Sequence, residues 1–264
     1  RVIIGHLDPN PLVSGKGVIS LRDAGIEVEA ENMPEALKLI ESFQTRMTQK
    51  RPFVRIKTAS SIDGAISMAS GESKWITGEE ARADVQYWRA RSDAIVSGVG
   101  SVLHDNPRFT LRTAEFKSVR QPIRVILDSR FRTPRDANVL TDGAPTLVVS
   151  NSGIECFGSL SPSELEKADG VIPNGPRDLE NLLKLLALLD CNDVLVEAGA
   201  KVVSSFLKRD LWDEWVSYVA PILLGKESRR LTDLDIVSIH DGLPAQVTER
   251  KMFGSDLRLL LRPA

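Results

Sequence analysis

Lys57, Ser73, Trp75, Thr77, Arg89, Asp105 and Arg112 are the side chains in the first half of this 264-residue chain that could do chemistry. An ammonium, two guanidinium forks, two hydroxyls and an indole form a donor-rich set with one flat surface. Such a set suits a phosphorylated, planar ligand, because the arginine fork matches phosphate oxygens and hydroxyls add neutral donors. A second segment, Glu197-Ala198-Gly199-Ala200, puts a glycine between a strand and a helix. Glycine lets backbone approach a ligand closely, and the unpaired N–H groups of a helix start favour an anion. Ser204 and Ser205 follow on the same helix. This is weaker than a full G-x-G-x-x-G fingerprint, and an ordinary turn into a helix also accounts for it.

Each of these residues has a plainer reading beside the chemical one. Arg89 near the end of a helix suits the dipole whether or not it binds anything, and Arg112 is equally ambiguous. Thr77 and Glu80 have capping-box spacing, so Thr77 is either the helix N-cap or a phosphate donor. Trp75 either covers the core as a hydrophobic staple or offers its face to a nicotinamide or base. Lys57 alternates with Ile56 and fits a simple outward charge on a strand. Asp63 before Gly64 reads as a turn former, not an acid. His104 beside Asp105 has no nucleophile in its sequence context to make a triad.

The elements that must position these groups restart at Phe53. Phe53–Lys57 reads as a strand, and a helix from Gly78 to about Arg91 carries Ala81, Val85 and Trp88 as one apolar stripe. Short apolar runs at 94–97, 123–127, 146–149 and 194–196 fit buried strands, and 179–189 and 200–208 read as helices. Trp215–Pro221 and Leu257–Leu261 close the sheet, the last part as an antiparallel hairpin. Strands alternating with helices predict an α/β fold with a central mixed, mostly parallel sheet. Residues 1–50 read as a smaller β-α-β-α piece with Pro34 in the first turn of its second helix. Thr48–Pro52 would then be a linker, which divides the chain at 1–50 and 51–264.

A net charge of −2 gives no global field for nucleic acid or an anionic membrane surface, so any anion site must be local. Cys156 and Cys191 have no Cys or His companions at metal-ligand spacing, and no metal site is expected. Both read as thiols in a reducing cytosol. No apolar run approaches the roughly 18–20 residues of a membrane span. The chain begins at Arg1, directly in a strand, and is expected to be part of a longer polypeptide.

Four phrases, "KTASSIDGAISMASGESKWIT", "ARADVQYWRARSDAIVSGVGSVLHDNPRFTLR", "QPIRVILDS" and "VEAGAKVVSSFL", resemble the reductase domain of the bacterial riboflavin-biosynthesis deaminase/reductase family. Residues 1–50, with "DPNPLVSGKGVISLRDAGIEV", look like the tail of that family's cytidine-deaminase-like, zinc-dependent domain. The resemblance implies a dihydrofolate-reductase-like fold, NADPH as cofactor, a homodimer, and reduction of 5-amino-6-(5-phosphoribosylamino)uracil at ribose C1′. By position, Lys57 and Glu197 would meet the pyrimidine, and Ser73, Thr77, Arg89 and Arg112 the ribose phosphate, with Phe109 also on the substrate. Ala59, Trp75, Ser101, Asp105, Ser129 and the segment Gly199, Ala200, Lys201, Val202, Val203, Ser204, Ser205 would line the NADPH site. Asp105 is a tentative proton donor only. The cofactor turn reads Glu-Ala-Gly instead of a doubled glycine. The His-x-Glu and Pro-Cys…Cys zinc ligands of the deaminase do not occur in these residues. The competing expectations are a reductase of another pyrimidine or a pterin, and a non-catalytic ligand-binding domain.

Overall fold

The computed structural model describes residues 1–112, 120–160, 165–166, 171 and 173–264. Its amino-terminal piece runs β1 (Val2–Ile4), α1 (Lys16–Asp23), β2 (Val28–Ala30) and α2 (Pro34–Gln49). β1 and β2 pair in parallel as a separate two-stranded sheet, and α1 buries no residue. The linker expected at Thr48–Pro52 is instead a docked junction. α2 continues through Thr48 and Gln49, and Lys50 closes it at φ 58. Arg51 then grips Asp213 with two hydrogen bonds of 2.6 and 2.8 Å. Within α2, Ser42 donates to Asp193 at 2.8 Å, and Arg46 donates to Asn192 and Asp190. Polar side chains in α2 find partners at the start of β9 and on the turn before it, and that overrides the linker-like composition.

The remainder runs β3 (Phe53–Ser61), β4 (Ala65–Met68), α3 (Glu79–Arg91), β5 (Ala94–Gly98), α4 (Val99–Asp105), β6 (Ile123–Leu127), α5 (Asn138–Thr141), β7 (Thr146–Ser150) and β8 (Gly153–Phe157). It continues as α6 (Leu179–Leu188), β9 (Asp193–Glu197), α7 (Ala200–Lys208), β10 (Glu214–Ala220), β11 (Ser228–Arg230), β12 (Ala245–Phe253) and β13 (Asp256–Pro263). The main sheet has nine strands in the order β12-β13-β10-β3-β9-β5-β6-β7-β8. From β10 to β7 all pairings are parallel, while β12, β13 and β8 pair antiparallel at the two margins. The sequence reading of a mixed, mostly parallel α/β sheet thus holds.

The parallel strands are buried on both faces, as helices on both sides require. β5, β6, β7 and β9 are buried at every position. Leu182, Leu186, Val203 and Phe206 of α6 and α7 pack on one face, and Ala81, Val85, Trp88 and Val102 of α3 and α4 on the other. Trp215–Ala220 lies inside β10, between β13 and β3, and the margin of the sheet beyond β13 is β12, exposed along nearly its whole length. One expectation changes. Thr77 is not the cap of α3. Gly78 holds the N-cap position without a side-chain cap, and its N–H donates to the Asp256 carboxylate at 2.6 Å.

After β5 the chain leaves through α4 towards β6, whereas after β9 it leaves through α7 towards β10, on the opposite side. Neighbouring parallel strands whose connections diverge open a crevice at their carboxyl ends, where open α/β sheets bind ligands.

Candidate functional site

A cavity of about 480 Å³ occupies that end of the sheet. β3 supplies Lys57 and Ala59, α3 supplies Arg82 and Arg89, α4 supplies Ser101 and Asp105, and β9 ends there with Glu197-Ala198-Gly199. Lys57 and Glu197 are register partners on adjacent parallel strands, so their side chains rise on the same face. That is the face covered by α3. Arg89 grips Glu197 through Nε–Oε1 at 2.6 Å and Nη2–Oε2 at 2.9 Å. It also donates to the Thr110 carbonyl at 3.4 Å. Of its five N–H groups, two remain for a ligand. Arg89 is thus first a partner of Glu197, a role the sequence did not suggest.

The electrostatics are unbalanced towards positive charge. Burial is the main force on Lys57 and pushes its ammonium below the ordinary lysine value; Glu197 opposes this and Arg89 adds to it. No hydrogen bond to its Nζ occurs among the described residues, so its donors are open to a ligand. For Glu197 burial favours the neutral acid, but Arg89, with its hydrogen bonds, and Lys57 outweigh it and hold the carboxylate below its usual range. Arg112, whose main-chain N–H donates to Gln86 Oε1, is lowered by desolvation and by Arg89. Three cations therefore converge around a single buried carboxylate.

The other predicted residues fall into two groups. Ser73, Trp75, Thr77, Phe109, Ala59, Ser101, Asp105 and Gly199 line the same cavity as Lys57, Arg89, Arg112 and Glu197. Trp75 is 68% exposed with Arg82 stacked 4.3 Å from its ring, so it is no staple over the core. Phe109 is buried at φ 52, with the Arg89 guanidinium 5.8 Å from its ring. Asp105 lies 3.5 Å from Ser73 Oγ and 3.9 Å from Lys74 Nζ.

Ser129 and the residues beyond Gly199 are not part of this lining. Val203 is fully buried in the core, and Ser204 Oγ accepts from the Asp233 N–H at 2.6 Å. Ser205 Oγ donates back to Lys201 O. Of the segment Gly199–Ser205, Gly199 lines the cavity, Val203 and Ser204 turn into the protein, and Lys201 is exposed on the outer side of α7.

Arg82, Arg108 and Asn138 line the cavity without having been singled out in the sequence. Arg82 had a signal: it precedes Arg89 by seven residues, two helical turns on one face. Arg108 and Asn138 had none, since only the fold brings their loop and short helix to this place.

The family model for the RibD C-terminal domain matches residues 52–256. The RibD riboflavin biosynthesis protein of Aquifex aeolicus is 38% identical, over 99% of this chain and 72% of its own length. The chain belongs to the RibD family. The RibD protein of Haemophilus influenzae is also 38% identical, over 100% of this chain and 73% of its own. An Acinetobacter baumannii RibD structure superposes with a TM-score of 0.86 at 41% identity, covering 100% of this chain and 72% of that one. A Thermotoga maritima structure, described as a diaminohydroxyphosphoribosylaminopyrimidine deaminase/5-amino-6-(5-phosphoribosylamino)uracil reductase, gives 0.83 at 34% identity, covering 100% and 71%. Over the matched residues this chain is a RibD reductase domain and acts in riboflavin biosynthesis. Among the described residues no helix is long and apolar enough to cross a membrane.

Proposed function

We propose that this chain reduces 5-amino-6-(5-phosphoribosylamino)uracil to its ribitylamino product, with NADPH, in the cavity around Lys57, Arg89 and Glu197. The observation that carries the reading is the surplus of cations: Lys57, Arg89 and Arg112 face one carboxylate, and an anionic substrate balances them. Lys57 and Glu197, a donor and an acceptor side by side, suit the edge of a pyrimidine, which presents both kinds of group. Arg112, the free N–H groups of Arg89, and the hydroxyls of Ser73 and Thr77 suit the ribose phosphate, with Phe109 packed beside them.

The start of α7 fits a dinucleotide phosphate. A Cβ at Gly199 would meet no protein atom within 4 Å, and its φ of −76 is open to any residue. Neither strain nor protein packing asks for glycine there, and close approach of a ligand does. The first N–H groups of a helix have no partner within it and point at such a phosphate. When bound, NADPH supplies the hydride that reduces C1′; the protein's part is to hold both ligands in reacting geometry. Ala59, Trp75, Ser101 and Asp105 form the remaining cofactor wall. Ser129 stands on a loop braced by Asp128, next to Arg130 and Arg132, where positive charge suits the extra phosphate that separates NADPH from NADH.

We also assign residues 1–50 to the end of a deaminase domain and propose a homodimer formed through the reductase domain. Alternation along β13 sends Arg258 and Leu260 towards α3 and turns Leu257, Leu259 and Leu261 to the other face, where they are half-buried. Val247 and Met252 on β12 are 45% and 57% exposed.

The test is loss of NADPH absorbance with freshly deaminated substrate. Lys57→Ala and Arg89→Ala are each expected to lower kcat/KM by about tenfold or more, the worth of one charge-assisted contact. No substrate-dependent oxidation of NADPH by the wild-type chain overturns the reading.

A further inference from the structure

Arg82 sits at the start of α3, behind Glu79 and Glu80. Those two carboxylates suit the positive end of the helix dipole, and a guanidinium so close to them runs against it. Among the described residues Arg82 has no ion pair that would offset this. Helix stability therefore gives no reason for an arginine at this position.

The reason lies in the segment that leads into the helix. Side chains on a helix tilt towards its amino terminus, so Arg82 leans back over residues 73–77. Its Nη1 donates to the Thr77 carbonyl at 2.5 Å, and its guanidinium carbon lies 4.3 Å from the centre of the Trp75 ring. Residues 73–77 belong to no helix or strand, yet they bring Ser73, Trp75 and Thr77 to the reductase cavity, which Arg82 also lines. Trp75 is mostly exposed, and no other ring or cation lies against it among the described residues. Packing in the core does not fix the indole, and the Arg82 stack does. A cation on one face of an indole leaves the opposite face for a flat ligand. Arginine suits this position because its planar fork stacks and donates at once, whereas an ammonium donates without stacking.

We propose that Arg82 is a positioning residue of the reductase: it holds Thr77 in place and covers one face of Trp75, so that the other face meets a flat ring of the cofactor. This rests on the assignment of NADPH to the cavity around Lys57, Arg89 and Glu197.

Steady-state kinetics of Arg82→Lys and Arg82→Ala test it. Arg82→Lys keeps the charge and a donor for Thr77 but loses the stack, so KM for NADPH should rise about fivefold while KM for the pyrimidine substrate stays within about twofold. Arg82→Ala, which also releases Thr77, should raise both. In a Trp75→Ala background, Arg82→Lys should have no further effect on NADPH. Acrylamide quenching of tryptophan fluorescence reads the stack in the ligand-free chain: Arg82→Ala should increase quenching, and Trp75→Ala should abolish the increase. This arm needs no NADPH, so it separates loss of the clamp from failure of the NADPH reading. Equal rises in both Michaelis constants for Arg82→Lys, additive effects in the double variant, or quenching unchanged in Arg82→Ala overturns the proposal.

Discussion

Two buried ion clusters sit on the same face of the same strands, and their difference separates structure from chemistry. At the amino ends of β3 and β9, Arg55 lies between Asp193 and Glu214 with contacts of 2.5 and 2.6 Å. Ser42 and Ser92 hydrogen-bond the Asp193 carboxylate, and Arg262 reaches Glu214. Carboxylates outnumber or match the cations, and the donors are spent inside the protein. At the carboxyl ends, only two and four residues further on, Lys57 and Glu197 meet Arg89 and Arg112. There the cations outnumber the carboxylate, and the Lys57 donors are unspent. A buried charge is tolerated when it is paired, so a surplus marks the place where a ligand completes the pairing.

The largest expected effect comes from breaking the balanced cluster. Arg55→Leu strands Asp193 and Glu214, and denaturant unfolding should show a loss of about 3–5 kcal/mol. Activity per folded molecule should change far less. The same change in activity and stability would merge the two clusters into one.

Lys57→Met sharpens the contrast from the other side. It should cost roughly tenfold or more in kcat/KM, while leaving the chain as stable or more so. Burial lowers the Lys57 value from the ordinary 10.5, so the unfolded chain holds this proton at pH values where the folded chain releases it. The wild-type protein therefore gains stability as pH rises towards 10.5. The advantage of Lys57→Met in thermal unfolding should be greatest near neutral pH and close on the alkaline side.

Glu197 gives the acid limb. Its folded value lies below the ordinary 4.5, so the unfolded chain takes up the proton first. The stability that the ionised carboxylate contributes is complete above 4.5 and is lost as pH falls through the folded value. Glu197→Gln should flatten this part of the stability–pH curve. The smallest effect is expected of Gly199→Ala: an unchanged thermal midpoint with a few-fold higher KM for NADPH, since its Cβ meets no protein atom.

Much of this was legible in one dimension. Apolar runs of strand length and a stripe at helical spacing on α3 predicted the parallel sheet, and a glycine between strand and helix marked the end of β9 where the proposed site opens. Residue types also predicted the ligand class, because lysine, arginine and hydroxyl donors are what a phosphorylated heterocycle needs. Other signals misled for local reasons. Thr77 with Glu80 had the spacing of a cap, yet Gly78 takes the N-cap position and its N–H donates to Asp256 from across the fold. Lys57 looked like an outward strand charge, because periodicity names a face and cannot say what covers it. The polar stretch after α2 looked loose, since the partners of Ser42, Arg46 and Arg51 lie more than a hundred residues away.

The sequence alone thus determined the elements, their type and the chemical character of the site, which follow from local periodicity and side-chain chemistry. Tertiary structure alone decided which charges pair. Whether an arginine serves a carboxylate of its own fold or waits for a ligand depends on distances of a few ångströms between β3, α3 and β9, and only packing sets those.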